Sequence, residues 1–131
     1  MVTAETPEQP SKVVLVVDDS DSDRRSITEL LTRAGFTVRA LASAIGATRA
    51  AREAGAQVAV IELNLPELHG GKLAALFRSN PNMKDLKLIL MSSHDESMMA
   101  DFMREARGDA FLRKDRLQTE LVPAVRRLCG E

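Results

Sequence analysis

Apolar runs without polar alternation recur along the chain, each followed by a helix-period segment. Val13–Val17 (VVLVV) is a continuous β-branched and leucine run, the pattern of a strand covered on both faces of a parallel sheet. Ile27, Leu30, Leu31 and Ala34 then fall at i, i+3, i+4 and i+7, which predicts a helix over Ser20–Ala34 that Gly35 stops. Phe36–Leu41 predicts a short strand, followed by an alanine-rich helix over Ser43–Ala54 ended by Gly55. Gln57–Ile61 is the next buried strand. It runs into ELNLPELHGG, a loop marked by Pro66, Gly70 and Gly71, and then a helix over Lys72–Ser79 that Asn80-Pro81 breaks. Leu86–Met91 and Ala110–Arg113 predict the last two strands, with a helix over Asp95–Arg107 between them and another running to Leu128. Thr119 as N-cap of that last helix would keep Pro123 within the first turn, where a missing N–H costs little.

Five strands alternating with five helices imply one doubly wound α/β domain, because parallel strands require crossover connections. In such sheets ligands bind outside the carboxyl ends of the strands, where the strand order reverses. The first strand delivers Asp18 and Asp19 there, the third Glu62, the fourth Ser92 and Ser93, and the fifth Lys114. If the first and third strands are neighbours, three carboxylates converge and need a cation. Lys114 is the internal candidate; Mg²⁺ held by one or two carboxylates and waters is the external one.

These residues, in this order, resemble the response-regulator receiver domain of the chemotaxis-regulator type. VVLVVDDSDSDRR is similar to its first strand and acidic pair, and ELNLPELHGG to its D-x-x-(M/L)-P-x-x-x-G loop. LILMSSH is similar to its fourth strand and hydroxyl switch residue, and DAFLRK to its fifth strand and lysine. The resemblance covers Lys12–Leu128 and implies the flavodoxin-like strand order 2-1-3-4-5. It implies Asp18 and Asp19 as Mg²⁺ carboxylates, with Asn64 as a backbone carbonyl ligand. Ser92 becomes the switch hydroxyl, Lys114 the phosphoryl-contacting cation, and Phe111 stands at the switch aromatic position. In the family, an aspartate at position 62 takes a phosphoryl group from a histidine kinase.

This chain departs from that pattern at its centre. Position 62 is Glu, which carries the carboxylate outward by about 1.3–1.5 Å, and a misplacement of about 1 Å can cost on the order of 100-fold in rate. Glu also puts negative charge roughly where an acyl phosphate would sit, without its third oxygen or second charge. Asp115 follows the lysine where many members have Pro, so that peptide bond is expected to be trans. Phe111 has no hydroxyl and can switch only through packing. The expectation is an atypical receiver without a catalytic residue, with Mg²⁺ bound weakly if at all, and with Glu62 paired to Lys114. It would act through a protein partner on the face built by the fourth helix, fifth strand and fifth helix, with Met98, Met99, Arg104, Phe111 and Arg113 as surface candidates. Two other readings stand beside it: a phosphorylation-competent receiver using Mg²⁺, and a scaffold or docking domain with an inert acidic site.

Composition narrows the field further. The 131 residues suit one domain, and 44% hydrophobic with 28% charged residues is too apolar for a disordered chain. Met1–Ser11 is polar and proline-containing, and is expected to be a disordered arm before a receiver domain over 12–131. Its lack of a basic start and apolar stretch argues against a signal peptide, and no run reaches the roughly 18–20 apolar residues of a membrane span. Lys and Arg total 18 against 19 Asp and Glu, a balance that disfavours nucleic-acid binding. A single cysteine, Cys129, excludes an internal disulfide. A cytoplasmic monomer or weak dimer follows as the expectation, and since the sequence ends after the last helix, its output is expected to come from association.

Other signals weaken on inspection. Asp19, Asp21 and Asp23 resemble the opening of an EF-hand loop, but Arg24 and Leu30 stand where it needs Gly and Glu. Ser20, Asp21 and Asp23 suit a helix N-terminus instead. His69 and His94 have no nearby Cys or His with ligand spacing and read as surface residues. Met98 and Met99, about 100° apart on a helix, cannot both face the core, so one is expected to be exposed. The arginines Arg104, Arg107, Arg113, Arg116, Arg126 and Arg127 give the last third a basic cast, suited to solvent or to an acidic partner.

Overall fold

The computed structural model describes residues 12–93, 104 and 107–131. Its five strands are β1 (Val13–Val17), β2 (Thr37–Leu41), β3 (Val58–Glu62), β4 (Lys87–Ser92) and β5 (Ala110–Arg113). All pair in parallel, in the order β2-β1-β3-β4-β5. The described helices are α1 (Asp21–Arg33), α2 (Ala47–Ala54), α3 (Gly70–Ser79) and a C-terminal helix (Leu117–Leu128), with 3-10 turns at Pro81–Met83 and Lys114–Arg116. The arm over 1–11 and the helix expected over Asp95–Arg107, apart from Arg104 and Arg107, lie outside the described residues, as do His94, Met98 and Met99. Among the described residues no helix is long and apolar enough to cross a membrane.

The apolar runs become the central strands because both their faces are covered. Val14, Val16, Ile89, Met91 and Leu112 face Ile27, Leu31, Leu121 and Val125 of α1 and the C-terminal helix. Leu15, Val17, Ile61 and Leu90 point the other way, onto Ala47 and Ala51 of α2 and Leu73 and Phe77 of α3. At the sheet edge, β2 has only exposed and half-buried positions, consistent with its mixed sequence TVRAL.

Element ends differ from the sequence expectation where local chemistry intervenes. Gly46 takes φ +79, so α2 begins at Ala47 rather than Ser43. His69, read from sequence as a plain surface residue, is the N-cap of α3: its Nδ1 accepts the Gly71 N–H at 3.1 Å. The C-terminal helix begins at Leu117 and not after Thr119, which leaves Pro123 well inside it. Pro123 and Thr119, whose carbonyl loses its helical partner, are both exposed, so water is at hand to solvate that oxygen. Ser20 caps α1 as expected, accepting the Asp23 N–H at 3.3 Å.

At the amino ends of the strands, Arg78 ties three segments together. Its guanidinium donates to the carbonyls of Leu86 and Arg107 and to Asp109 Oδ2, the last at 2.6 Å. The same carboxylate oxygen accepts the Leu88 N–H at 2.8 Å, fastening the start of β4 to the segment that enters β5.

Candidate functional site

The carboxyl ends of β1, β3 and β5 make the site. Val17 pairs with Ile61 across β1 and β3, so the next residue on each strand brings Asp18 beside Glu62. Asp18 is fully buried, Glu62 is 5% exposed, and Ser92 is fully buried at the end of β4. Lys114 opens the turn after β5 and reaches across β4 and β3 to this point.

The Lys114 ammonium lies between three carboxylates. Nζ is 2.6 Å from Glu62 Oε1 and 2.8 Å from Asp18 Oδ2, and it donates a 2.8 Å hydrogen bond to Asp23 Oδ2. The Asp18 Oδ2 contact is an ion pair without hydrogen-bond alignment. The second oxygens of Asp18 and Glu62 are also engaged: Asp18 Oδ1 accepts the Ser20 N–H at 2.9 Å, and Glu62 Oε2 accepts the Asn64 N–H at 2.7 Å. Glu62 is thus held at both ends of its carboxylate, by an ammonium and by a backbone amide.

Burial shifts these groups in opposite senses from their pairing. Desolvation pushes the Asp18 carboxyl above its usual value, with the Glu62 charge adding to it, against the lowering by Lys114 and the Ser20 amide. Desolvation alone would lower Lys114, but the carboxylates of Asp18, Asp23 and Glu62 outweigh it and raise its pKa. The lysine is therefore a fixed cation at neutral pH.

Of the residues singled out from sequence, Asp18, Glu62 and Lys114 come together. Asp19 and Asn64 have exposed side chains. Phe111 is half-buried against the core face formed by α2 and α3. Arg113 pairs with Asp115 at 2.8 Å, and Arg104 is exposed. The Lys114–Asp115 peptide bond is trans, as no cis bond occurs among the described residues. Asp23 is the residue that the sequence reading left out of the site. From sequence it serves only the dipole of α1, and the reach of the Lys114 side chain to it, 2.8 Å from Nζ, shows its second role.

The donor set suits an ammonium better than a small divalent ion. The space between the three carboxylates is taken by Nζ, with their oxygens 2.6–2.8 Å away, so a Mg²⁺ ion with its close oxygen shell could sit there only if the ammonium moved out. Among the described residues no three His, Cys, Asp or Glu side chains stand where they could hold a metal ion.

The sequence pattern of the response regulator receiver domain matches residues 14–126. The chain belongs to that family. As a receiver it is similar to protein PilG of Pseudomonas aeruginosa, 26% identical over 113 residues that cover 86% of this chain and 84% of PilG. It is also 26% identical to the transcriptional regulatory protein GltR of the same species over 115 residues, 88% of this chain. This receiver spans only 48% of the length of GltR, so it matches about half of that relative. Its fold is that of the chemotaxis protein CheY4 of Vibrio cholerae, with a TM-score of 0.84 at 22% identity, covering 91% of this chain and 99% of CheY4.

Proposed function

We propose that this chain is an atypical receiver that signals in a two-component-type pathway by binding a protein partner, without phosphorylation at position 62. The reading rests on Glu62. Its carboxylate is longer than the family's acceptor, sits almost fully buried, and has Oε1 on Lys114 at 2.6 Å and Oε2 on the Asn64 amide at 2.7 Å. An oxygen attacking phosphorus in line needs a lone pair free and aimed at the donor. Each Glu62 oxygen instead already faces an internal partner, which holds the carboxylate in place. The proposed partner surface is the one expected from sequence, around the fourth helix, β5 and the C-terminal helix, with Met98, Met99, Arg104, Phe111 and Arg113 contributing.

One observation favours a phosphorylation-competent receiver instead: Asp18, Ser92 and Lys114, to which the family resemblance assigns roles in that chemistry, all stand at the strand ends. Intact mass after incubation with acetyl phosphate and Mg²⁺ separates the two, with Glu62→Asp run in parallel. The proposal expects no phosphoryl adduct on the native chain and one on the variant. An adduct on the native chain overturns it.

A further inference from the structure

The family resemblance carries a Mg²⁺ ion to Asp18, Asp19 and Asn64, and the geometry of this chain disagrees. Lys114 Nζ is within 2.8 Å of oxygens from Asp18, Asp23 and Glu62, which come from the end of β1, the first turn of α1 and the end of β3. We propose that the Lys114 ammonium is the pocket's resident cation, so that the site is a closed four-residue ion cluster that excludes Mg²⁺. This deepens the function proposed above and rests on its reading of Glu62 as the residue at the acceptor position.

Three features support the assignment. First, the longer Glu62 side chain brings its carboxylate to the lysine at 2.6 Å, the shortest contact in the cluster. A metal held by Glu62 would have to share an oxygen already facing a positive charge. Second, Asp23 supplies a carboxylate from outside the strand ends and is 44% exposed, so it anchors Lys114 on the solvent side, where a hydrated ion would enter. Third, the Asn64 N–H is bound to Glu62 Oε2, which couples the loop offered as a carbonyl ligand to the same self-contained network. A lysine in this position is only 12% exposed. Moving it out to admit a metal would break three ion pairs at once.

The test is Mn²⁺ binding to the full chain, read by loss of the free-ion EPR signal and by paramagnetic broadening of the amide spectrum. The key comparison is the double variant Lys114→Gln with Asp23→Asn. It removes one positive and one negative charge, so the pocket keeps the net charge of the native protein and any difference reports whether the ammonium fills the space. The expected result is no saturable binding to the native chain up to 10-fold above the concentration that saturates the double variant, with broadening at Asp18, Asn64 and Ser92 in the variant alone. Saturable binding to the native chain at equal or higher affinity, with broadening at those residues, overturns the proposal. So does failure of a folded double variant to bind. If the double variant does not fold, the native titration decides alone: saturation below millimolar Mn²⁺ with broadening at Asp18 and Asn64 contradicts the proposal, and none supports it. The outcome is independent of phosphorylation. An acetyl phosphate adduct on a native chain that does not bind Mn²⁺ sinks the proposed function but leaves the resident cation standing, and Mn²⁺ binding without an adduct does the reverse.

Discussion

One methylene separates Glu62 from an aspartate, and the surrounding contacts show where it goes: the carboxylate meets Lys114 on one oxygen and the Asn64 amide on the other. Breaking such a buried cluster by removing its only cation leaves Asp18 and Glu62 charged and unpaired in low dielectric. Lys114→Met should therefore lower unfolding free energy by about 3–5 kcal/mol, seen as an earlier urea midpoint. The effect has a pH signature. The folded-state pKa of Lys114 is raised above the ordinary 10.5, so its stabilisation is complete below that value and lost as pH rises through the folded pKa. The gap between native chain and Lys114→Met should be constant near neutrality and narrow above about pH 10.5; a gap that widens there would contradict the assignment. The Glu62–Lys114 pair was legible beforehand because both residues end strands, and strand ends converge in this topology. Asp23 was not, because its partner lies 91 positions away and depends on how α1 packs against the sheet.

At the scale of elements, the sequence places the strands to within a residue or so, most plainly the inner strands β1, β3 and β4, which are apolar runs bounded by polar positions. Helix starts were harder, because capping depends on backbone geometry that periodicity does not encode. Gly46 is an example: its φ of +79 sets the start of α2, and a Cβ there would meet nothing within 4 Å. Gly46→Ala should accordingly cost only the left-handed backbone penalty of about 1–2 kcal/mol, measurable by thermal unfolding, and a larger loss would mean that a clash exists. The Asp109 brace was also invisible in sequence, for Arg78 and Asp109 come from elements with no shared periodicity. Its carboxylate serves both Arg78 and the Leu88 amide. Asp109→Ala should cost about 1–3 kcal/mol and reduce hydrogen-exchange protection at Leu88 more than at Val60. Equal protection loss at both would argue that the brace is not local.

For the whole molecule, hydrophobic patterning determined the outcome: continuous apolar runs demanded a sheet covered on both faces, and the crossovers placed the polar strand ends together. The strand order is the one the family resemblance implies, and the family itself rests on the sequence pattern matched over residues 14–126. Whether the molecule switches is a question about the pocket as a unit, since Glu62, Lys114, Asp18 and Asp23 join β1, α1, β3 and β5 through one ammonium. The most direct test is the amide NMR spectrum of the native chain before and after addition of acetyl phosphate with Mg²⁺. A pocket closed on its own lysine predicts unchanged resonances for Asp18, Glu62, Asn64, Ser92 and Lys114, while Glu62→Asp shifts them. Shifts of the native resonances, concentrated at those residues and spreading into β5, would contradict the account.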